Sequence, residues 1–221
     1  MVDIKAFPYL CFVRFDLTSK EFDRQFNTHY DAHIQELADK PGYSTAWRTQ
    51  ELRGSANEGV MEQEYQQVYS INDPALFKSF PQNRPPPVTE NEPWRRDIGN
   101  WGRVFYRVLS LVEKDDRAGR CWARCEYNAA DENKFQSAVA QHLKHVMELH
   151  GIHRAWQLQH APHRAQIGPD PAGNYMNLYE ADAAENLFDP SLGEDRRPLQ
   201  AGQEFAGRHF ARLLLKAEPR R

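Results

Sequence analysis

The chain has 221 residues, 40 % hydrophobic and 12 % aromatic, which is enough to bury a core and excludes a disordered polymer. Its 28 Lys and Arg against 31 Asp and Glu leave a net charge of −3, without the basic field that a nucleic-acid or membrane partner needs. No apolar run approaches the roughly 20 residues of a membrane span, and MVDIKAFPYL lacks the charged-then-apolar order of a secretory signal, so a cytoplasmic protein is expected.

Residues 10–17 alternate and are rich in β-formers, which predicts a strand. Thr18 or Ser19 is placed to cap a helix that carries Glu21 or Asp23 in its first turn and runs to about Lys40. Phe22, Phe26, Tyr30, Ile34 and Leu37 recur at three- and four-residue steps, an apolar stripe suited to packing on a sheet. Pro41-Gly42 stops this helix, because proline cannot continue it and glycine accepts a left-handed turn. A second strand is predicted over 43–52, RGSANEGV is a loop, and a third strand covers 64–71. Asp73-Pro74 opens a short helix through Phe77, and the fourth strand spans 103–112.

The order then begins again. HIQELADKPGYSTAW (33–47) aligns without a gap to HLKHVMELHGIHRAW (142–156), keeping His, Gly, Ala and Trp. FVRFDLTSKEF matches WARCEYNAADE, YQQVYSIND matches YMNLYEADA, and GRVFYRVLSL matches GRHFARLLLK, all in order at spacings of 105 to 110. Two homologous halves are therefore expected: 1–113, a linker KDDRAG at 114–119, and 120–221. Each reads βαββαβ, the ferredoxin-like unit. Because the helices cover one face of each sheet, the other faces must bury one another. The predicted fold is α+β: two ferredoxin-like repeats packed sheet-to-sheet as a pseudo-two-fold α+β barrel. Segments 79–100, 159–173 and 189–206 do not repeat well and read as lids or binding loops, or else as surface elaboration.

Strand alternation assigns faces. Cys11, Val13, Phe15 and Leu17 suit the helices, as do Cys121, Ala123 and Cys125, whose thiols read as reduced and packed. The barrel interior is expected to receive Arg14 and Arg124 beside Phe12 and Trp122, with Tyr65, Gln67 and Tyr69 matched by Tyr175, Asn177 and Tyr179. Phe105 and Arg107 are matched there by Phe210 and Arg212. Such a lining suits a small organic acid, since arginine grips carboxylates in a planar, bidentate way. The alternative is that these arginines are internal ion pairs with Asp16, Glu64 or Glu126.

His33, near the end of the first helix, could move protons at neutral pH. His29-x₃-His33 and His142-x₂-His145 are weak metal signals without the glutamate of HExxH or a clear third ligand, and no metal is expected. GxGxxG, GxxxxGK[ST] and GxSxG are absent. At FNTHYDAHIQELADKPGYSTAWR the chain resembles the EthD-like group of the dimeric α+β barrel superfamily, through His33, Pro41-Gly42 and Trp47-Arg48. Thr28-His29 replaces the Trp-Tyr pair usual there, and in the second copy only His142 and Gly151 carry over. The resemblance implies a barrel pocket and proton-transfer chemistry, often without a cofactor, in a superfamily that includes isomerases, cyclases, cofactor-free monooxygenases and haem enzymes.

The leading expectation is a cofactor-independent isomerase of an unsaturated or aromatic-derived carboxylic acid. His33 would be its proton shuttle, helped by Tyr30 or Tyr69. Arg14, Arg107, Arg124 and Arg212 would hold carboxylates, with Tyr65, Tyr175, Tyr179, Trp47, Arg48 and His142 completing the site. The alternatives are an oxygenase or lyase, cofactor-free or metal-dependent, and a non-catalytic small-acid binder; a further homodimer is open.

Overall fold

In the computed structural model, residues 3–52, 63–77, 92–114, 117–129, 131–149, 151–183, 186 and 203–220 are described, with backbone alone over 203–210. Two halves follow the same course. The first contains β1 (Tyr9–Leu17), α1 (Asp23–Ala38), β2 (Tyr43–Glu51), β3 (Tyr65–Ile71) and β4 (Ile98–Glu113). The second contains β5 (Cys121–Ala129), α2 (Glu132–Glu148), β6 (Ile152–His160), β7 (Tyr175–Ala181) and β8 (Gln203–Ala217). The short second helix expected in the first half is a 3₁₀ turn, Pro74–Phe77, and another such turn, Pro93–Asp97, precedes β4. Among the described residues, no helix is long and apolar enough to cross a membrane.

The eight strands form one closed antiparallel barrel in the order β1-β3-β2-β8-β5-β7-β6-β4, with β4 returning to β1. The long fourth strands close it. Tyr9–Leu17 pairs with the first part of β4, whose last part, Tyr106–Glu113, pairs with β6. In the same way β8 pairs first with β5 and then with β2. This double duty explains why β4 outruns the strand predicted over 103–112. Closure leaves no unpaired sheet edge, the feature that most exposes β-proteins to aggregation.

Three buried clusters result. One lies inside the barrel, built from both halves around Phe12, Trp47, Tyr106, Trp122 and Trp156. The other two lie outside it, between each half-sheet and its own helix. The amphipathic stripe behaves as predicted, since Phe26, Tyr30, Ile34 and Leu37 are the buried positions of α1. The predicted cap does not form. The N-cap position is Phe22, without a side-chain bond; Thr18 donates to the Asp97 carbonyl and Ser19 accepts from the Glu21 amide. By contrast Asp131 caps α2, accepting from the Lys134 amide at 3.1 Å.

Both helices are followed by a glycine in the left-handed region, Gly42 at φ +88° and Gly151 at φ +78°. A Cβ at residue 42 would also come within 3.0 Å of Leu76. Gly42→Ala is therefore expected to destabilise the fold by about 1–3 kcal/mol, read as a lower urea midpoint with an unchanged slope. An unchanged midpoint would contradict this backbone account.

Candidate active site on the outer face of the N-terminal half

Side chains directly opposite each other on neighbouring strands share a face. Phe12 stands opposite Val68 and Val104, and all three belong to the interior cluster. Tyr65, Gln67 and Tyr69 stand opposite Phe15, Val13 and Cys11, so they face α1 and not the lumen. Tyr175, Asn177 and Tyr179 likewise stand opposite Tyr127, Cys125 and Ala123 and face α2. The inner-face expectation for these six residues is corrected: the strand period was right, but the phase of β3 and β7 was set one residue off. Phe105 also faces outward, while the side chain of residue 210 lies outside the described residues.

The arginines divide by the same rule. Arg14 and Arg124 do enter the lumen, where Arg124 donates to Gln66 of the other half at 2.8 Å and lies 4.0 Å from Glu51. Arg107 and Arg212 are exposed at the two seams between the halves, donating to Gln159 and Gln50 at 2.9 and 2.5 Å. Arg48 is buried on the helix side, ion-paired to Asp31 at 2.6 Å and bonded to Asn27. Trp47 is fully buried in the lumen against Trp122 and Trp156, with ring centroids 5.6 and 6.2 Å away. The interior is thus a packed tryptophan core with polar ends, and it does not unite the predicted carboxylate grip.

The remaining candidates meet outside the barrel. His33, His29 and Tyr30 stand on one face of α1, since i, i+3 and i+4 positions are neighbours on a helix. The His33 ring lies 5.8 Å from that of His29, nearly parallel, and 5.9 Å from Tyr30, edge-on. Tyr30 and Tyr69 belong to the same buried cluster. Trp94, carried by the Pro93–Asp97 turn, packs on Phe26, His29 and Tyr30 at 5.7, 4.7 and 5.4 Å. A groove of about 620 Å³ runs beside this patch along Arg24, Thr28, His29, Glu92 and Trp94. Tyr65 lies towards the far end of β3, bonded to Lys20 and Asp23.

Burial governs the electrostatics here. The His33 imidazole is pushed down to about 4, first by desolvation and then by the neighbouring His29 and cationic Lys40 and Arg95, against Glu36. It is therefore neutral at physiological pH. Burial also lowers His29, although Glu92 stands 3.1 Å from its Nδ1 and opposes the shift. Burial raises the Tyr30 and Tyr69 phenols, keeping both as hydrogen-bond donors. Tyr69 donates to Gln67, and Tyr43, pushed up to about 12 by burial, packs edge-on to Tyr69.

His33 thus carries a pH signature. Its folded value, about 4, lies below the ordinary 6.5, so the unfolded chain holds more protons in that interval. Its contribution is complete above 6.5 and is lost as pH falls towards 4. His33→Asn is expected to flatten the loss of stability over that window, measured by urea midpoints from pH 7 to 4. An identical acid limb in the variant would show that His33 does not titrate this way.

His142 occupies the equivalent place on α2, but its Nε2 is engaged with the Tyr179 hydroxyl at 2.9 Å. That bond occupies the nitrogen through which an imidazole would ligate iron in a haem site. Beside His33 stand the His29 ring, nearly parallel, and the Tyr30 ring, edge-on. The bonded state of His142 does not fit a haem ligand at that position. Among the described residues no group of three or more His, Cys, Asp or Glu converges as a metal site.

Sequence reasoning missed Trp94, Glu92 and Arg103. The first two lie in the irregular segment 79–100, which reads as a lid or binding loop or as surface elaboration; its residues 79–91 lie outside the described residues. An aromatic beside charged residues inside that loop was the available signal. Arg103 is buried on the helix side of β4, donating to the Ala165 carbonyl at 3.2 Å with its guanidinium 4.6 Å from the Phe77 ring centre. Cys11, beside it, is a buried thiol, and burial holds its pKa far above the ordinary range.

No family model matches the sequence, and no curated protein matches it. Solved structures do match in fold over nearly the whole chain. The chain is similar to an anthrone oxidase-like protein, with a TM-score of 0.63 at 7 % identity over 98 % of this chain and 95 % of that one. It is similar to a proposed monooxygenase of Fusobacterium nucleatum subsp. nucleatum, at 0.59 and 9 % over 96 % and 95 %. A proposed chlorite dismutase follows at 0.57 and 13 %, over 94 % of each chain. Identities this low establish the α+β barrel fold and nothing about the reaction.

Proposed function

We propose that the chain is a cofactor-independent oxygenase of a planar, aromatic-derived substrate with an acidic C–H bond, and that His33 is the base. The observation that carries this reading is the state of His33: half-buried, neutral at physiological pH and set among aromatic rings. An imidazole with a low pKa is a weak base, so the substrate must supply an acidified carbon, such as a methylene flanked by rings and a carbonyl. His33 takes one proton from that methylene. The carbanion passes one electron to O₂, and the resulting radical pair combines into a peroxide anion. Imidazolium returns the proton, and the hydroperoxide loses water to leave a carbonyl. The sum is CH₂ + O₂ → C=O + H₂O, with no external reductant. Tyr30, kept protonated by burial beside His33, would donate to the oxyanion, whereas the Tyr69 hydroxyl is engaged with Gln67.

The isomerase expected from sequence would use the same carbanion and reprotonate it at another carbon. It rested on the repeated histidine and on a cationic inner face, and the arginines of that face are dispersed. Oxygen as the partner of the carbanion is this proposal's own choice, in keeping with the names of an anthrone oxidase-like protein and a proposed monooxygenase of the same fold. The same reading takes the chain as an EthD-like tandem duplication. It is supported by paired features such as Arg107 with Gln159 against Arg212 with Gln50, and Gly42 against Gly151.

Anthrone serves as the probe. Oxygen uptake should equal anthrone consumed, one to one, and turnover should stop under argon. Turnover that continues under argon would favour the isomerase; no turnover of any acidic aromatic C–H compound would remove the oxygenase reading.

A further inference from the structure

We infer that the outer face of the C-terminal half holds a second binding site, for a small planar molecule bearing both a carbonyl and a hydroxyl group. This goes beyond the oxygenase reading and does not depend on it. Asn177 is 0 % exposed, and among the described residues neither its Nδ2 nor its Oδ1 has a hydrogen-bond partner. Gln157, its cross-strand neighbour at 3 % exposure, accepts from Ser110 through Oε1, while its Nε2 has no partner. Buried polar groups in native proteins are nearly always bonded, so such a group calls for a ligand or an ordered water. Here two amides side by side on one sheet face leave two donors and one acceptor unmet, more than a lone flaw in packing.

The matching positions carry smaller side chains in this half. Where the first half has Tyr30, Gln67 and Arg48, the second has the shorter Val139, Asn177 and Gln157. Cys125 flanks Asn177 on the other side, and in the next row Tyr179 stands between Ala123 and Ala155. Burial on every side excludes bulk water as the partner. The unmet atoms specify the ligand: a carbonyl oxygen to accept from the amide N–H groups, and a hydroxyl to donate to Asn177 Oδ1. Aromatic and aliphatic neighbours, among them Phe135, Tyr175 and Val139, suit a flat ring carrying both.

The test uses the full chain and 4-hydroxybenzaldehyde as the probe. Side-chain amide resonances of Asn177 and Gln157 are assigned by their loss in Asn177→Leu and Gln157→Met. We expect both to shift saturably with the probe and its affinity to fall about tenfold or more in each variant. Affinity in His33→Asn should be unchanged, which separates this site from the one on α1. Should Asn177→Leu fail to fold, Gln157→Met reads the same loss. Equal affinity in the variants, absent amide shifts, binding lost in His33→Asn, or a crystal structure in which the probe leaves a water on Asn177 would each overturn the inference.

Discussion

Replacing His33 with alanine is expected to lower kcat/KM for oxygen-dependent turnover by about two to four orders of magnitude, the usual contribution of a positioned proton acceptor. The variant should retain the wild-type melting temperature to within a few degrees, because the imidazole is half-buried and its removal leaves Ile34 and Leu37 in place. Wild-type kcat/KM should be flat from about pH 5 upwards, since the group that must be unprotonated titrates at about 4. An acid limb near 6.5 would mean that the working base is a different, more exposed group. His142→Ala makes the contrast. Its imidazole is tied to Tyr179, so the rate should change far less than in His33→Ala. Equal losses in the two variants would sink the assignment of the base to the N-terminal half.

Arg154→Leu is expected to cost about 3–5 kcal/mol of stability, the cost of breaking a buried ion pair from one side. Arg154 is 1 % exposed and binds Glu113 at 2.8 Å and Glu180 at 3.1 Å, with Glu180 fully buried. Removing the guanidinium strands the Glu180 charge in the barrel, where the remaining partner shown is the Gly119 amide at 2.6 Å. The arrangement fastens β4 of one half to β6 and β7 of the other, so the loss should be cooperative across the whole barrel. Arg154→Leu combined with Glu180→Leu should recover most of the stability, since the isolated charge is then gone. If the double variant were no more stable than the single one, packing volume and not stranded charge would be the cause.

Several elements were legible because they depend on neighbouring residues alone. The α1 stripe at Phe26, Tyr30, Ile34 and Leu37, the glycine turn at Gly42 and its echo at Gly151 are properties of short segments. The repeat needed only a comparison of the chain with itself, and it led to two ferredoxin-like units and a barrel. The site was less legible. A strand's alternation gives two faces but not which one is inside, and a one-residue error in phase reverses every side chain. That is what happened at Tyr65, Gln67 and Tyr69, while Arg14 and Phe12, whose strand opens the chain, were placed correctly.

The sequence by itself determined the order of the strands and the two long helices, the helix stripes and the histidine at matched positions, because period, turn chemistry and self-similarity are written along the chain. Only the tertiary structure decided which of those residues meet. Register between strands put Trp47, Trp122 and Trp156 inside the barrel and Tyr65, Tyr69, Tyr175 and Tyr179 outside. The extension of β4 and β8 across the seams left Arg107 and Arg212 at the surface. Burial, which depends on the packing of distant segments, left His33 a neutral imidazole beside His29 and Tyr30 and bound its counterpart, His142, to Tyr179. The chemistry of two identical side chains diverged because their surroundings did.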